Sequence, residues 1–462
     1  MTLRIFHPPG RPRERRYAFD VVFREFLGID YEAFEDASID HVRIDLGTGG
    51  SPAVLAVDDR FLRTADDRWL RRASLPVSPL GRWRLPPGSA AAGGPDVPVL
   101  FAADARPPVD CDLHLPIDIF GGIFFLLARY EEAVEGAPFD RFGRFPATAS
   151  LACSESFLER PLVDEYVEIL WSTLLRVRPG LRRRDHRYAV HASHDVDVPF
   201  LGCGVPMGRL VRGTAGDLLV RRSASQAVRR LASRFLRRTD IDPGNTFEFL
   251  MDSSERAGVV ADFYFMATDR TCPLDATYDL EDAEIRGLVA AIHSRGHRVG
   301  LHPGFETFLD AARTRDEFER LKQSCERLGV RQDRWGGRQH YLRWRNPDTW
   351  QNWEDAGLDY DASVGFADRV GFRAGTCREF PVFNLRTASM LSLREKPLVA
   401  MDRTLLDPAY MGLSPEDCLA KMGSLAATCR RFGGTLSILW HNTSLLAAAD
   451  RRLYADVLEA VR

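Results

Sequence analysis

From residue 186 to the end of the chain, short apolar runs alternate with longer segments of helical periodicity, and this alternation restricts the fold more than any other property of the sequence. The apolar runs, read as strands, cover 188–193, 262–267, 297–302, 334–338, 360–364, 397–402 and 435–441. Helical patterns lie near 246–257, 281–295, 315–328, 347–356, 415–431 and 446–461. Strand–helix units repeated in this way align their strands in parallel and cover the sheet with helices. About seven units predict an α/β fold with a closed or nearly closed barrel, whose working residues stand at the C-terminal ends of the strands.

Residues 1–185 have a different texture, that of a mixed α+β domain whose role the sequence does not disclose. Helical periodicity marks 19–27 and 162–175, and the apolar segment 116–130, too short to span a bilayer, reads as a buried core helix. Pro- and Gly-rich stretches at 86–98 and 104–108 read as loops, and 181–185 as the linker to a barrel over 186–462. No catalytic constellation stands out before 186, and His114 and Asp118 read as structural. Within the barrel, 205–240 breaks the alternation with a basic amphipathic insertion of arginines interleaved with leucine, valine and phenylalanine. It is either a solvated helical hairpin or an interfacial element for anionic lipid or a phosphorylated substrate.

Composition excludes several classes. A formal net charge of −3 gives no general pull towards nucleic acid. The eight cysteines are scattered without a CxxC pair, so neither a zinc knuckle nor a redox dithiol is indicated. The first residues carry charges and prolines but no apolar core of a signal peptide, and no apolar run approaches the roughly 18 residues of a membrane span. The expected location is the cytoplasm, with peripheral contact at the inner membrane through 205–240.

Chemistry is concentrated at the strand ends. The first strand delivers Ser193-His194-Asp195-Val196-Asp197, where one carboxylate can hold a divalent cation while the other takes a proton from water. The third delivers His302, with Glu306 four residues on; a helical turn after Pro303 would project both from one side, as metal ligands often are. Imidazole and carboxylate together suit zinc, and also cobalt, nickel or manganese. His297 starts that strand, at the wrong end for a ligand. Arg338 ends the fourth, where a guanidinium would keep a neighbouring aspartate ionised and oriented. The last strand delivers His441, which could protonate a leaving amine.

In this order the segments resemble the NodB-like polysaccharide deacetylases of carbohydrate esterase family four, over residues 186–445, in the branch with an N-terminal accessory domain. The resemblance implies a distorted (β/α)7-type barrel. It makes Asp195 the general base, Asp197 and His302 metal ligands, and His441 the general acid. Arg338 and Tyr341 match the family's RxxY motif, in which the Tyr backbone N–H helps hold the oxyanion. Asp361-Ala362-Ser363 is similar to its DxS motif. Glu306 departs from the pattern, standing where the family has a second metal histidine. His340 is a substitute ligand from the next strand, and His340 and Trp440 are otherwise expected to contact substrate.

The implied reaction is metal-dependent removal of an N-acetyl group from an amino sugar, in a cell-surface polysaccharide or in a nucleotide- or lipid-linked precursor. Two alternatives stay open: a catalytically degraded carbohydrate-binding or scaffold protein, and a hydrolase of another, cyclic, amide. All readings share one spatial expectation, that Asp195, Asp197, His302, Arg338 and His441 converge on a single pocket.

Overall fold

The computed structural model describes residues 2–47, 53–84, 96–102 and 111–462. The loop expected over 104–108 and most of that over 86–98 lie outside these residues; the rest of the latter is strand, not loop. The N-terminal unit is built on β1 (Thr2–His7), β2 (Asp30–Glu35), β3 (His41–Asp45), β4 (Val54–Asp58), a separate hairpin of β5 (Gly81–Arg84) and β6 (Asp96–Val99), and β7 (Leu113–Leu115). Its main sheet runs β2-β1-β3-β4-β7 and mixes parallel with antiparallel pairs. Alternation in β1 turns Leu3 and Ile5 into the core.

Between β1 and β2 the chain forms one helical rod, α-helical over Pro12–Phe19 and π-helical over Asp20–Leu27. The pattern expected from 19 thus begins earlier, where Pro12 at the first turn supplies a helix-compatible φ. The apolar segment becomes the helix Ile119–Leu127, buried at every position. Asp118 caps it, accepting a 2.8 Å hydrogen bond from the Gly121 amide, and also accepts from Arg60 and Phe61. His114 pairs with Asp58 at 2.7 Å.

After a coil over 178–188 come β8 (Ala189–Val196), β9 (Asp262–Phe265), β10 (Arg298–Leu301), β11 (Gly336–Gly337), β12 (Tyr360–Asp361), β13 (Phe380–Asn384), β14 (Ser389–Glu395), β15 (Ala400–Met401) and β16 (Thr435–Leu439). The sheet runs β13-β14-β12-β11-β10-β9-β8-β16-β15, and every pair is parallel except β13/β14. The protein is therefore an α/β fold with a large, mostly parallel sheet and a mixed N-terminal sheet. All seven expected strands are present. No hydrogen-bonded ladder joins β13 to β15, so the sheet is not a closed ring. The β13/β14 hairpin was not legible because Pro381 interrupts its first run; as an edge strand, β13 tolerates the missing N–H. At β11 only glycine fits: a Cβ on Gly337 would stand 1.7 Å from the Leu301 carbonyl oxygen.

One apolar cluster extends from Leu3 to Val461, so the two sheets share a core. Buried polar bonds cross between them: Arg373 pairs with Glu132 at 2.5 Å, Arg378 with Asp164 at 2.7 Å, and Tyr17 donates to the Pro381 carbonyl at 2.8 Å. Among the described residues no helix is long and apolar enough to cross a membrane.

Candidate metal centre

β8 carries Ser193 and Asp195 on the same face, and Asp197 follows just beyond its end. Arg338 leaves β11 towards that face. Its Nη1 donates to Asp195 Oδ1 at 2.9 Å, Nη2 to Ser193 Oγ at 2.9 Å and Nε to the Ala362 carbonyl at 2.9 Å. A fully buried guanidinium with all three edges bonded has one position available, and so has the Asp195 carboxylate it grips.

Asp197, His302 and His340 each present a ligand-type atom, all within 4.8 Å of one another. His302 Nε2 lies 3.0 Å and His340 Nε2 3.8 Å from Asp197 Oδ1. Both rings are oriented from behind. His302 Nδ1 donates to the Arg338 carbonyl at 2.6 Å, and His340 Nδ1 to Asp275 Oδ1 at 3.0 Å. With Nδ1 protonated and engaged, each ring turns a free Nε2 lone pair inward, the arrangement that outer partners impose on metal-binding histidines. Asp197 Oδ1 is itself buried and accepts no hydrogen bond of good geometry, the 3.0 Å approach of His302 being misaligned. Burial disfavours the Asp197 charge, but His302, His340 and His441 around it hold its carboxyl far below the usual range. Two imidazoles and an ionised carboxylate fit a zinc-like divalent cation.

Glu306 does not join this set. Its side chain is 56% exposed and faces Arg343 at 3.7 Å. The chain turns at 305–306, and the next helical turn, Thr307–Leu309, starts too late to set Glu306 on the same face as His302. His340 occupies the third position instead, as the substitute ligand-type group. Trp440 precedes His441 at the end of β16. It is 1% exposed, with its ring packed on Tyr454 at 5.2 Å, and so lies in the core behind the site.

On the opposite side of Asp197, His441 Nε2 stands 3.7 Å from Oδ2. Its Nδ1 donates to Asp402 Oδ1 at 2.7 Å, and its amide donates to Asp402 Oδ2 at 3.0 Å. Burial works against charge on this ring, but Asp402, with Asp197 and Asp195, raises its pKa to about 9. Tyr341 takes a left-handed φ of 59°, followed by 55° at Leu342, unusual backbone for residues with a side chain. Its ring meets Phe142 at 5.1 Å and Phe305 at 5.3 Å, and its carbonyl accepts from Arg144 at 3.3 Å. Ser363 bonds Asp361 through both its amide and its hydroxyl, and receives the Gln339 amide at 2.8 Å. The DxS segment therefore braces the loop that carries His340.

All five residues expected to converge do so. Sequence reasoning missed Asp275, Asp402, Ser193 and Phe142. Asp402 ends an expected strand and Ser193 lies one alternation before Asp195, so strand-end position could have flagged both. Asp275 and Phe142 lie in irregular segments with no such signal. A cavity of about 510 Å³, lined by His191, Arg298 and Lys396, opens at the other end of the strands and holds none of the donor atoms above.

A model of a family of unknown function (DUF7033) matches residues 3–179. No curated protein matches the chain. Similar solved chains include a "putative polysaccharide deacetylase from Mycobacterium smegmatis", 17% identical over 60% of this chain and 86% of that one, with a TM-score of 0.38. "Puue Allantoinase" is 14% identical over 59% and 84%, with a TM-score of 0.37. A "probable Polysaccharide deacetylase from Pseudomonas aeruginosa PAO1" is 14% identical over 67% and 90%, with a TM-score of 0.37.

Proposed function

We propose that the protein is a divalent-cation-dependent hydrolase that removes the N-acetyl group from an amino sugar, in a cell-surface polysaccharide or a precursor of one. The observation that carries this reading is the pairing of a three-donor cluster, Asp197, His302 and His340, with an arginine-held carboxylate on one side and a carboxylate-held imidazole on the other. The choice of an N-acetyl amide comes from the order of motifs shared with NodB-like deacetylases.

Asp197, His302 and His340 would hold the cation. When bound, it polarises an amide carbonyl and acidifies a water molecule. Asp195 accepts the proton of the attacking water on Oδ2, the oxygen that Arg338 leaves free. The Tyr341 amide contributes a donor to the developing oxyanion. His441, kept protonated by Asp402, passes its proton to the departing nitrogen. Acetate and the free amino sugar leave.

The test is acetate release from a panel of N-acetylated amino sugars, run beside ring opening of cyclic amides, with metal analysis of the purified chain. Wild type is expected to retain a cation and release acetate. Asp195→Asn is expected to lose roughly 10²–10⁴-fold or more in turnover with its cation content unchanged. A chain that retains no cation, or that opens cyclic amides and releases no acetate, contradicts the proposal.

A further inference from the structure

The insertion between β8 and β9 folds as two helices, Met207–Leu219 and Ala224–Leu236, whose amphipathic order is inside out. Beside Leu210 and Ala227, polar groups occupy the seam. Arg230 Nε donates to Asp217 Oδ2 at 2.6 Å and its Nη1 to the Leu201 carbonyl at 2.7 Å, while Ser233 donates to Asp242 at 2.7 Å. Asp217, Arg230 and Ser233 are all buried. The apolar stripes face outward. Met207, Val211 and Leu218 follow helical spacing on the first helix and are 52%, 61% and 49% exposed. Val228, Leu231 and Phe235 do the same on the second, at 64%, 36% and 70%. Nine of the sixteen exposed large apolar side chains among the described residues lie in this one segment, a concentration rather than scattered exposure.

The charge around these stripes is of one sign. Residues 205–240 hold nine arginines and two aspartates, in a chain of net charge −3. Both aspartates are occupied within the segment, Asp217 by Arg230 and Arg221, and Asp240 by Arg238. Arg212 and Arg222 have no acidic partner among the described residues. A covering surface must therefore be apolar within and anionic at its edge. A second copy meeting the first across a two-fold axis would set arginine against arginine. A bilayer with anionic headgroups meets both demands, since basic side chains are attracted to such a surface and the apolar stripe enters the acyl boundary.

We propose that this helical pair docks the protein on an anionic bilayer. The pair also adjoins the metal centre. A cavity of about 60 Å³ lined by Asp197, Phe200, Arg209 and Tyr278 joins the mouth of the site to the base of the first helix. On the second helix, Gln226 donates to the Leu446 carbonyl, a few residues beyond His441, at 3.4 Å. Docking thus holds the mouth at headgroup level and selects a lipid-carried glycan as substrate, a clause that rests on the hydrolase reading above.

The test is flotation of the full chain with phosphatidylcholine vesicles, with and without phosphatidylglycerol. The chain is expected to float with the anionic vesicles and to be released by high salt. Arg212→Glu with Arg222→Glu, and separately Phe235→Ser, should each lower the bound fraction about tenfold or more, with an unchanged circular dichroism spectrum. Arg212→Lys with Arg222→Lys should retain binding. No flotation with either vesicle overturns the proposal. So does flotation insensitive to Phe235→Ser, or a soluble dimer that Phe235→Ser dissociates. Flotation needs no turnover, so its failure leaves the hydrolase reading standing, and inactivity of a chain that floats removes that reading with its substrate clause and leaves the docking.

Discussion

Asp275 belongs to no strand or helix, yet its Oδ1 accepts both the His340 ring proton at 3.0 Å and the Phe305 amide at 2.8 Å. It sets the tautomer and tilt of one donor and the course of the loop after another. Removing its charge while keeping its shape should loosen the cation without unfolding the chain: Asp275→Asn is expected to weaken affinity by roughly 10–100-fold, measured by competition with a chelator. An unchanged affinity would mean that His340 needs no orienting partner. Asp402 plays the matching part for His441. A histidine whose pKa is raised to about 9 carries its proton at neutrality and loses it as pH climbs past that value, so turnover should fall there. Asp402→Asn withdraws the largest favourable charge, and the alkaline limb of the kcat profile should move to lower pH. An unmoved limb would assign it to another group. Residues at strand ends were legible because alternation and strand direction place them; that Glu306 stands outside the cluster was not, because loop conformation after Pro303 leaves no trace in spacing.

β12 and β14 pair so that Asp361 stands opposite Glu395, both fully buried. Burial pushes Glu395 well above the ordinary range, with the Asp361 charge adding to it, and raises Asp361 to about 7. Groups whose native pKa exceeds the unfolded value near ~3.9 stabilise the fold fully below that value and lose the contribution as pH rises through the native one. Stability should therefore decline from about pH 4 to about pH 7 through Asp361. Asp361→Asn keeps an oxygen for the two Ser363 bonds and cannot ionise, so its urea midpoint should change less over that window and exceed wild type at its alkaline end. Parallel midpoints for the two chains would clear the pair of any part. At this scale the long periodic helices were the most legible feature. The strand ladders were less so: β11 and β12 are only two residues long.

Across the whole molecule, Glu132 lies between Arg129 and Arg373 with almost no solvent access, tying the N-terminal unit to the large sheet. Glu132→Ala leaves two buried guanidinium groups without their shared anion and is expected to cost ~3–5 kcal/mol. Wild type and variant should each melt in one transition seen alike by far-ultraviolet and tryptophan signals. Separate transitions would show that the shared core does not couple the units. The texture change near 186 is visible in the sequence, but the joint core is not, since contacts between distant segments have no period.

Phe142 and Arg144, which come from the first third of the chain, press on the ring and carbonyl of Tyr341. Held in the left-handed basin, that peptide stores its shape in a clamp made elsewhere. A gene trimmed to begin at 186 would yield a sheet lacking one lip of its own entrance, free to relax the amide next to His340. Any change to the segment near Phe142 is thus also a change at the doorway of the donor cluster, however far apart the two stand in the code.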